Sequence, residues 1–199
     1  MIKAVIFDYG GVTGKEPNEN ETCLAIAKRC GLGYDFVKSK YNLFEAQFVT
    51  NGISKKEFYA RLAHSLGVSA KDVGPVWDVK YFQQKPKLNR KVVKIAGTLK
   101  SSGYKLALLS NVFPHRDTIL KKHGCYKFFP NIILSSKVRL KKPDKKIYEY
   151  AIEKLKVKAN ECLFVDDREK NINGAKKVGM RAILFKNADQ LEKDLKRYL

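Results

Sequence analysis

Along most of this chain, short apolar runs closed by glycine or polar residues alternate with longer stretches of helical period. Ile2-Lys3-Ala4-Val5-Ile6-Phe7, rich in β-branched residues and followed by Asp8-Tyr9-Gly10-Gly11, predicts a buried strand breaking into a loop. Residues 20 to 84 behave differently. They hold no convincing strand, and their apolar positions recur at helical spacing: Leu24/Ala27, Phe36/Val37/Tyr41/Phe44/Phe48, Phe58/Leu62/Leu66 and Val73/Val76/Trp77/Val79. Breaks fall at Gly31-Leu32-Gly33, Asn51-Gly52 and Gly67-Val68-Ser69. Ser54-Lys55-Lys56-Glu57 has the form of a capping box, and Ser69-Ala70-Lys71-Asp72 of a weaker one. A small helical bundle is the expectation here, with Pro86 marking the return of the chain to the sheet.

From there the pattern predicts helix 88–101, strand 104–110, helix 114–123, strand 131–135, helix 143–155, strand 162–165, helix 169–178, strand 181–185 and helix 187–198. Strands alternating with helices specify an α/β fold with a parallel sheet. The expected division is a core made of 1–14 and 86–199, with a helical insertion at 15–85. The aromatic residues of the insertion, such as Tyr41, Phe44, Phe48, Phe58 and Trp77, read first as its core, with one or two left to line a cleft.

Polar residues close the strands. In open α/β sheets chemistry collects where the chain leaves the carboxyl ends of the strands. Asp8 ends the first strand, and by itself an Asp there is ordinary turn chemistry. Three later segments change that reading: Tyr104-to-Leu109 ending in Ser110-Asn111, Lys141-Lys142-Pro143-Asp144, where a lysine precedes a proline-opened helix, and Cys162-to-Val165 ending in Asp166-Asp167. Together they could close around one small anion. Asp8 would be a nucleophile and a metal ligand, Ser110 and Asn111 would donate hydrogen bonds to a transferring oxyanion, and Lys142 would hold its charge. Adjacent buried carboxylates repel unless one protonates or a cation binds, and oxygen-only ligands suit magnesium.

This order of motifs resembles the haloacid dehalogenase-like (HAD) superfamily of hydrolases through essentially the whole chain, within a subgroup opening Phe-Asp-x-Gly-Gly. The resemblance implies a Rossmann-like three-layer core with a central parallel sheet and an α-helical cap that selects the substrate. It implies Asp8 as the nucleophile that forms an aspartyl-phosphate, Ser110 as the second-motif hydroxyl and Lys142 as the third-motif lysine. The metal would be Mg²⁺, bound by Asp8, the carbonyl of Gly10 and Asp167 directly, and by Asp166 through water. The substrate would be a small phosphorylated metabolite.

One position departs from the pattern. The usual phosphatase carries a general acid two residues after the nucleophile, where this chain has Gly10. Such an acid typically contributes ~10²–10⁴-fold, so good leaving groups, such as acyl or aryl phosphates and sugar 1-phosphates, are expected to fare best. Candidate replacements are His115 and Asp117, then His64 and His123, each with an ordinary helical reading as well. Two other functions stay open. A phosphate-binding or interaction protein that does not turn over would fit the missing acid. A haloacid dehalogenase would need neither acid nor metal, and Asp166-Asp167 speaks against it.

Composition changes little in this picture. At 199 residues and 44% hydrophobic positions the chain can bury a real core, and no segment approaches the ~20 apolar residues of a membrane span. The start runs straight into the first strand, so a cytoplasmic location is the expectation. Cys23, Cys30, Cys125 and Cys162 form no C-x-x-C pair and read as free thiols. The net charge of +20 would draw in anionic substrates. Lysines (32, against eight arginines) are spread through every helix, so no specific nucleic-acid partner is expected.

Overall fold

The computed structural model describes residues 1–199. Its centre is a five-stranded parallel sheet of β1 (Ala4–Phe7), β4 (Lys105–Ser110), β5 (Asn131–Leu134), β6 (Cys162–Asp166) and β7 (Arg181–Leu184), in spatial order β5-β4-β1-β6-β7. β1 therefore lies at the middle, and the chain order runs outward from it in opposite directions. That reversal opens a crevice at the carboxyl ends of the strands flanking β1. Register brings those ends level, with Phe7 opposite Leu108 on one side and Val165 on the other.

Every residue of β1 is buried because both faces of the sheet are covered. Val5 and Phe7 point into one apolar cluster, with Leu106, Leu108, Leu163 and Val165, under α5 (Arg90–Ser101) and α10 (Ala188–Leu195). Ala4 and Ile6 point into the other, with Ala107, Leu109 and Phe164, under α8 (Lys145–Leu155) and α9 (Glu169–Lys177). α6 (Pro114–Lys122) joins the first layer through Leu120.

A third cluster belongs to α1 (Glu19–Cys30), α2 (Tyr34–Val49), α3 (Lys55–Leu66) and α4 (Ala70–Trp77). Its centre is aromatic. Phe48 stacks between Phe58 (centroids 4.5 Å) and Phe113 (4.6 Å), and Trp77 stacks on Tyr41 (5.4 Å). Phe113 lies just after β4, so this stack also fastens the bundle to the sheet. Ser54 caps α3 by accepting the Glu57 N–H, and Ser69 caps α4 by accepting the Lys71 N–H.

Several boundaries differ from the sequence expectation. β2 (Gly14–Lys15) and β3 (Lys87–Leu88) pair antiparallel, so the two chain crossings between bundle and sheet form one ribbon. Leu88 is therefore strand, and α5 starts two residues later, where Asn89 Oδ1 caps the Val92 N–H. α4 runs on into a π-helical turn, Asp78–Phe82. β5 stops at Leu134 because Ser135–Val138 form the short helix α7. Pro143 does not open α8; it follows a cis peptide, and Asp144 holds the N-cap position instead. All four cysteines are free. No helix is long and apolar enough to cross a membrane.

Candidate active site

The end of β1 delivers Asp8 into the crevice, held by its N–H on the Val165 carbonyl (2.9 Å). Lys142 arrives from the loop before α8, and its ammonium lies 2.8 Å from Asp8 Oδ1 and 2.7 Å from Asp166 Oδ2. Asp8 Oδ1 also accepts the Tyr9 N–H at 2.6 Å, so both of these bonds to the carboxylate fall on one oxygen. Asp166 is wholly buried at the end of β6, and donors surround it. Its Oδ1 accepts the Arg168 N–H, while Asn171 Nδ2 reaches both oxygens at 2.9 and 3.0 Å. Asp166 thus orients Lys142, and Asn171 orients Asp166.

Asp167 is exposed beside them. One carboxylate oxygen each from Asp8, Asp166 and Asp167 lie within 4.8 Å of one another. Gly11 makes this approach possible. With φ +79° it adopts the left-handed region, and a Cβ there would collide with Asp167 Oδ2. Three carboxylates against one ammonium leave negative charge in excess, which is the environment a hard divalent cation takes.

Burial pushes the Asp8 carboxyl up to about 6, against the pull of Lys142 and with the help of the Asp166 charge. Burial raises the Asp167 carboxyl too, again with Asp166 adding to it. For Lys142 burial opposes the charge, but Asp166 and Asp8 outweigh it, so the ammonium is held above its usual range.

Ser110, the last residue of β4, is buried at the same crevice. The Asn111 side chain clasps the backbone of the lysine loop. Its Nδ2 donates to the Lys142 carbonyl and its Oδ1 accepts the Lys142 N–H, both at 2.9 Å. It holds the lysine loop, and Asn111 also lines the cavity over the site.

A cavity of about 800 Å³ opens over these groups, lined among others by Asp8, Gly10, Ser110, Lys142 and Asp167. Only four of its 26 lining residues are hydrophobic, so it suits a polar ligand. Two ion pairs join bundle and sheet loops at its wall, Lys141–Glu45 (2.8 Å) and Arg168–Glu19 (3.3 Å).

None of the four suggested replacement acids lines this cavity. His115 packs on Phe82 beside Lys55 and Asp78 at a separate, smaller cavity, where burial and Lys55 lower its pKa. Asp117 binds Tyr126 and Lys137. His123 Nδ1 contacts the Ile119 carbonyl, and His64 sits in the last turn of α3.

A carboxyl the sequence did not single out does line it: Glu16. Its Oε2 accepts from Arg116 Nε at 2.9 Å, and Arg116 Nη1 donates to the Gln84 carbonyl. Arg116 is wholly buried, and it ties both crossings of the chain to α6. Glu16 Oε1 and Arg116 Nη2 are buried without partners. Burial pushes Glu16 up to about 7, with Arg116 pulling the other way. The pair is separated by 100 positions, so no local pattern announces it. Asn171, five residues after Asp166, is a local signal that could have been read.

Residues 2–179 match the model of the haloacid dehalogenase-like hydrolase family. Glyceraldehyde 3-phosphate phosphatase of Methanopyrus kandleri is 32% identical over 193 residues, covering 90% of this chain and 82% of that protein. Drimenol cyclase drtB of Aspergillus calidoustus is 26% identical over 98% of this chain, which spans only 36% of that protein's length. A magnesium complex of the HAD family enzyme bt-2542 from Bacteroides thetaiotaomicron shares the fold, with a TM-score of 0.72, 22% identity and 93% coverage of both chains.

Proposed function

The chain belongs to the haloacid dehalogenase-like hydrolase family, and from that premise we propose that it is a magnesium-dependent phosphatase of small, polar phosphate esters. The observation that carries this reading is the convergence of Asp8, Lys142 and the Asp166-Asp167 pair at the carboxyl ends of adjacent strands, under a polar cavity. A similar phosphatase in Methanopyrus kandleri is named for a glyceraldehyde 3-phosphate substrate, a polar ester that agrees with the polar lining of that cavity. We assign residues 1–14 and 86–199 to the catalytic unit and 15–85 to its cap.

In this reading an Asp8 carboxylate oxygen attacks phosphorus, with Lys142 and the Tyr9 N–H fixing the carboxylate through Oδ1. Lys142 stabilises the negative charge on the transferring oxygens, and the Ser110 hydroxyl donates to them. Asn111 acts through Lys142, whose backbone it holds on both sides. The donor set fits a hard cation: Asp8, Asp167 and the Gly10 carbonyl would hold magnesium, with Asp166 behind them on Lys142. When bound, magnesium would neutralise phosphate charge in the ground state and in transfer. Water then cleaves the aspartyl-phosphate.

Acid quenching during turnover of acetyl phosphate, followed by peptide mass spectrometry, tests the reading. A phosphoryl adduct on the peptide containing Asp8, present with magnesium and missing with chelator, is the expected result. An adduct elsewhere, or none while phosphate is still released, would overturn the mechanism.

A further inference from the structure

We propose that Glu16 donates the proton to the leaving group, in place of the acid that position 10 lacks; this rests on the phosphatase reading above. Glu16 occupies the ground beside Gly10. A Cβ built on Gly10 would meet Glu16 Cγ at 3.2 Å and Glu16 Cβ at 3.5 Å, and no other atom within 4 Å. The stem of Glu16 therefore fills the space into which a side chain at position 10 would grow. Gly10 and Glu16 also line one cavity with Asp8, Ser110, Lys142 and Asp167.

The carboxyl is held through Oε2 and lacks a partner at Oε1. Arg116 Nε holds Oε2 at 2.9 Å, and its own Nη1 is fastened to the Gln84 carbonyl, so the anchor is rigid. Oε1 has no partner although it is buried. Leaving a buried acceptor unpaired is costly, so such an atom marks a place where something else donates or accepts. Of the other acids at the cavity, Glu19 pairs with Arg168 and Glu45 with Lys141, Asp167 lies in the carboxylate cluster, and Glu21 is exposed on α1.

The step balances. An Asp8 carboxylate oxygen forms its bond to phosphorus as the bond from phosphorus to the ester oxygen breaks. The departing oxygen takes the proton of the Glu16 carboxyl and leaves as an alcohol. The Glu16 carboxylate then takes a proton from the water that attacks the aspartyl-phosphate, and Asp8 and inorganic phosphate are released.

The test compares kcat/KM for glycerol 3-phosphate, a poor leaving group, and p-nitrophenyl phosphate, a good one, in the wild type and Glu16→Gln. Glutamine keeps an acceptor for Arg116 but carries no acid proton. The expected loss is ~10²–10⁴-fold on the alkyl ester and under about tenfold on the aryl ester. A nitrophenol burst should appear as well, because water lacks its base. Equal loss on both esters would show a structural role and overturn the proposal, as would full alkyl activity in Glu16→Gln or a wild type that cleaves only the aryl ester. A wild type inactive on both esters would overturn the phosphatase reading itself, and this inference with it. A second variant guards against misfolding: Gly10→Asp combined with Glu16→Ala should regain alkyl activity over Glu16→Ala alone. No regain would count against the shared position of the two acids.

Discussion

The side-chain amide of Asn111 binds the backbone of Lys142 at both its N–H and its carbonyl, 2.9 Å each way. One residue at the end of β4 thereby sets where the lysine of another loop points. Asn111→Ala removes both bonds, each worth about 0.5–1.5 kcal/mol. We expect a fall in thermal stability and weaker inhibition by inorganic phosphate. Unchanged phosphate inhibition would show that Lys142 is placed without this clamp.

Lys142 is the counter-ion of two buried carboxylates. Lys142→Met should cost about 3–5 kcal/mol at pH 8, the usual range for stripping one partner from a buried pair. The sign with pH follows from Asp8, whose carboxyl already sits at about 6 and would rise further without the lysine. Below that value Asp8 is protonated and needs no partner, so the cost should shrink at pH 5. Denaturant titrations of both proteins with chelator present decide it. A deficit that is equal at pH 5 and pH 8 contradicts the account.

Gly11 admits the Asp167 carboxylate. Gly11→Ala drives a methyl group into Asp167 Oδ2 at φ +79°, so Asp167 must move and the backbone is strained. Magnesium affinity measured by calorimetry should fall at least tenfold. Retained affinity would remove Asp167 from the metal site.

Glu16 imprints its own pH dependence on stability. Its carboxyl lies at about 7 in the fold against an ordinary 4.5, so between those values the native state binds the extra proton. Stability from this group is present below about 4.5 and is lost as pH rises through 7. Glu16→Gln should flatten that decline in melting temperature between pH 5 and pH 8. An identical slope in both proteins would mean that Glu16 titrates normally.

Much of the site was legible because its signals are local. An apolar run ending in Asp8, another ending in Ser110, and a third ending in Asp166-Asp167 each declare a strand and its terminal group within a few residues. The parallel sheet then brings those ends together. What escaped notice depends on contacts between distant segments. Glu16 meets Arg116 across 100 positions, and the β2–β3 ribbon pairs Gly14 with Leu88. Asn111 could be placed at the site, but its partner could not. Its amide clasps the Lys142 loop, 31 positions further along the chain. His115 and Asp117 follow β4 closely in sequence, yet α6 carries them away from the crevice to other partners.

We propose Asp8 as the nucleophile of a magnesium-dependent phosphatase, and its removal is the most direct test. Release of inorganic phosphate should be measured from acyl, aryl, sugar and triose phosphates, with magnesium and with chelator, for the wild type and Asp8→Asn. The account predicts release that requires magnesium, is fastest with the best leaving groups, and disappears in a folded Asp8→Asn protein. Release that survives in Asp8→Asn, or that ignores the chelator, would contradict it.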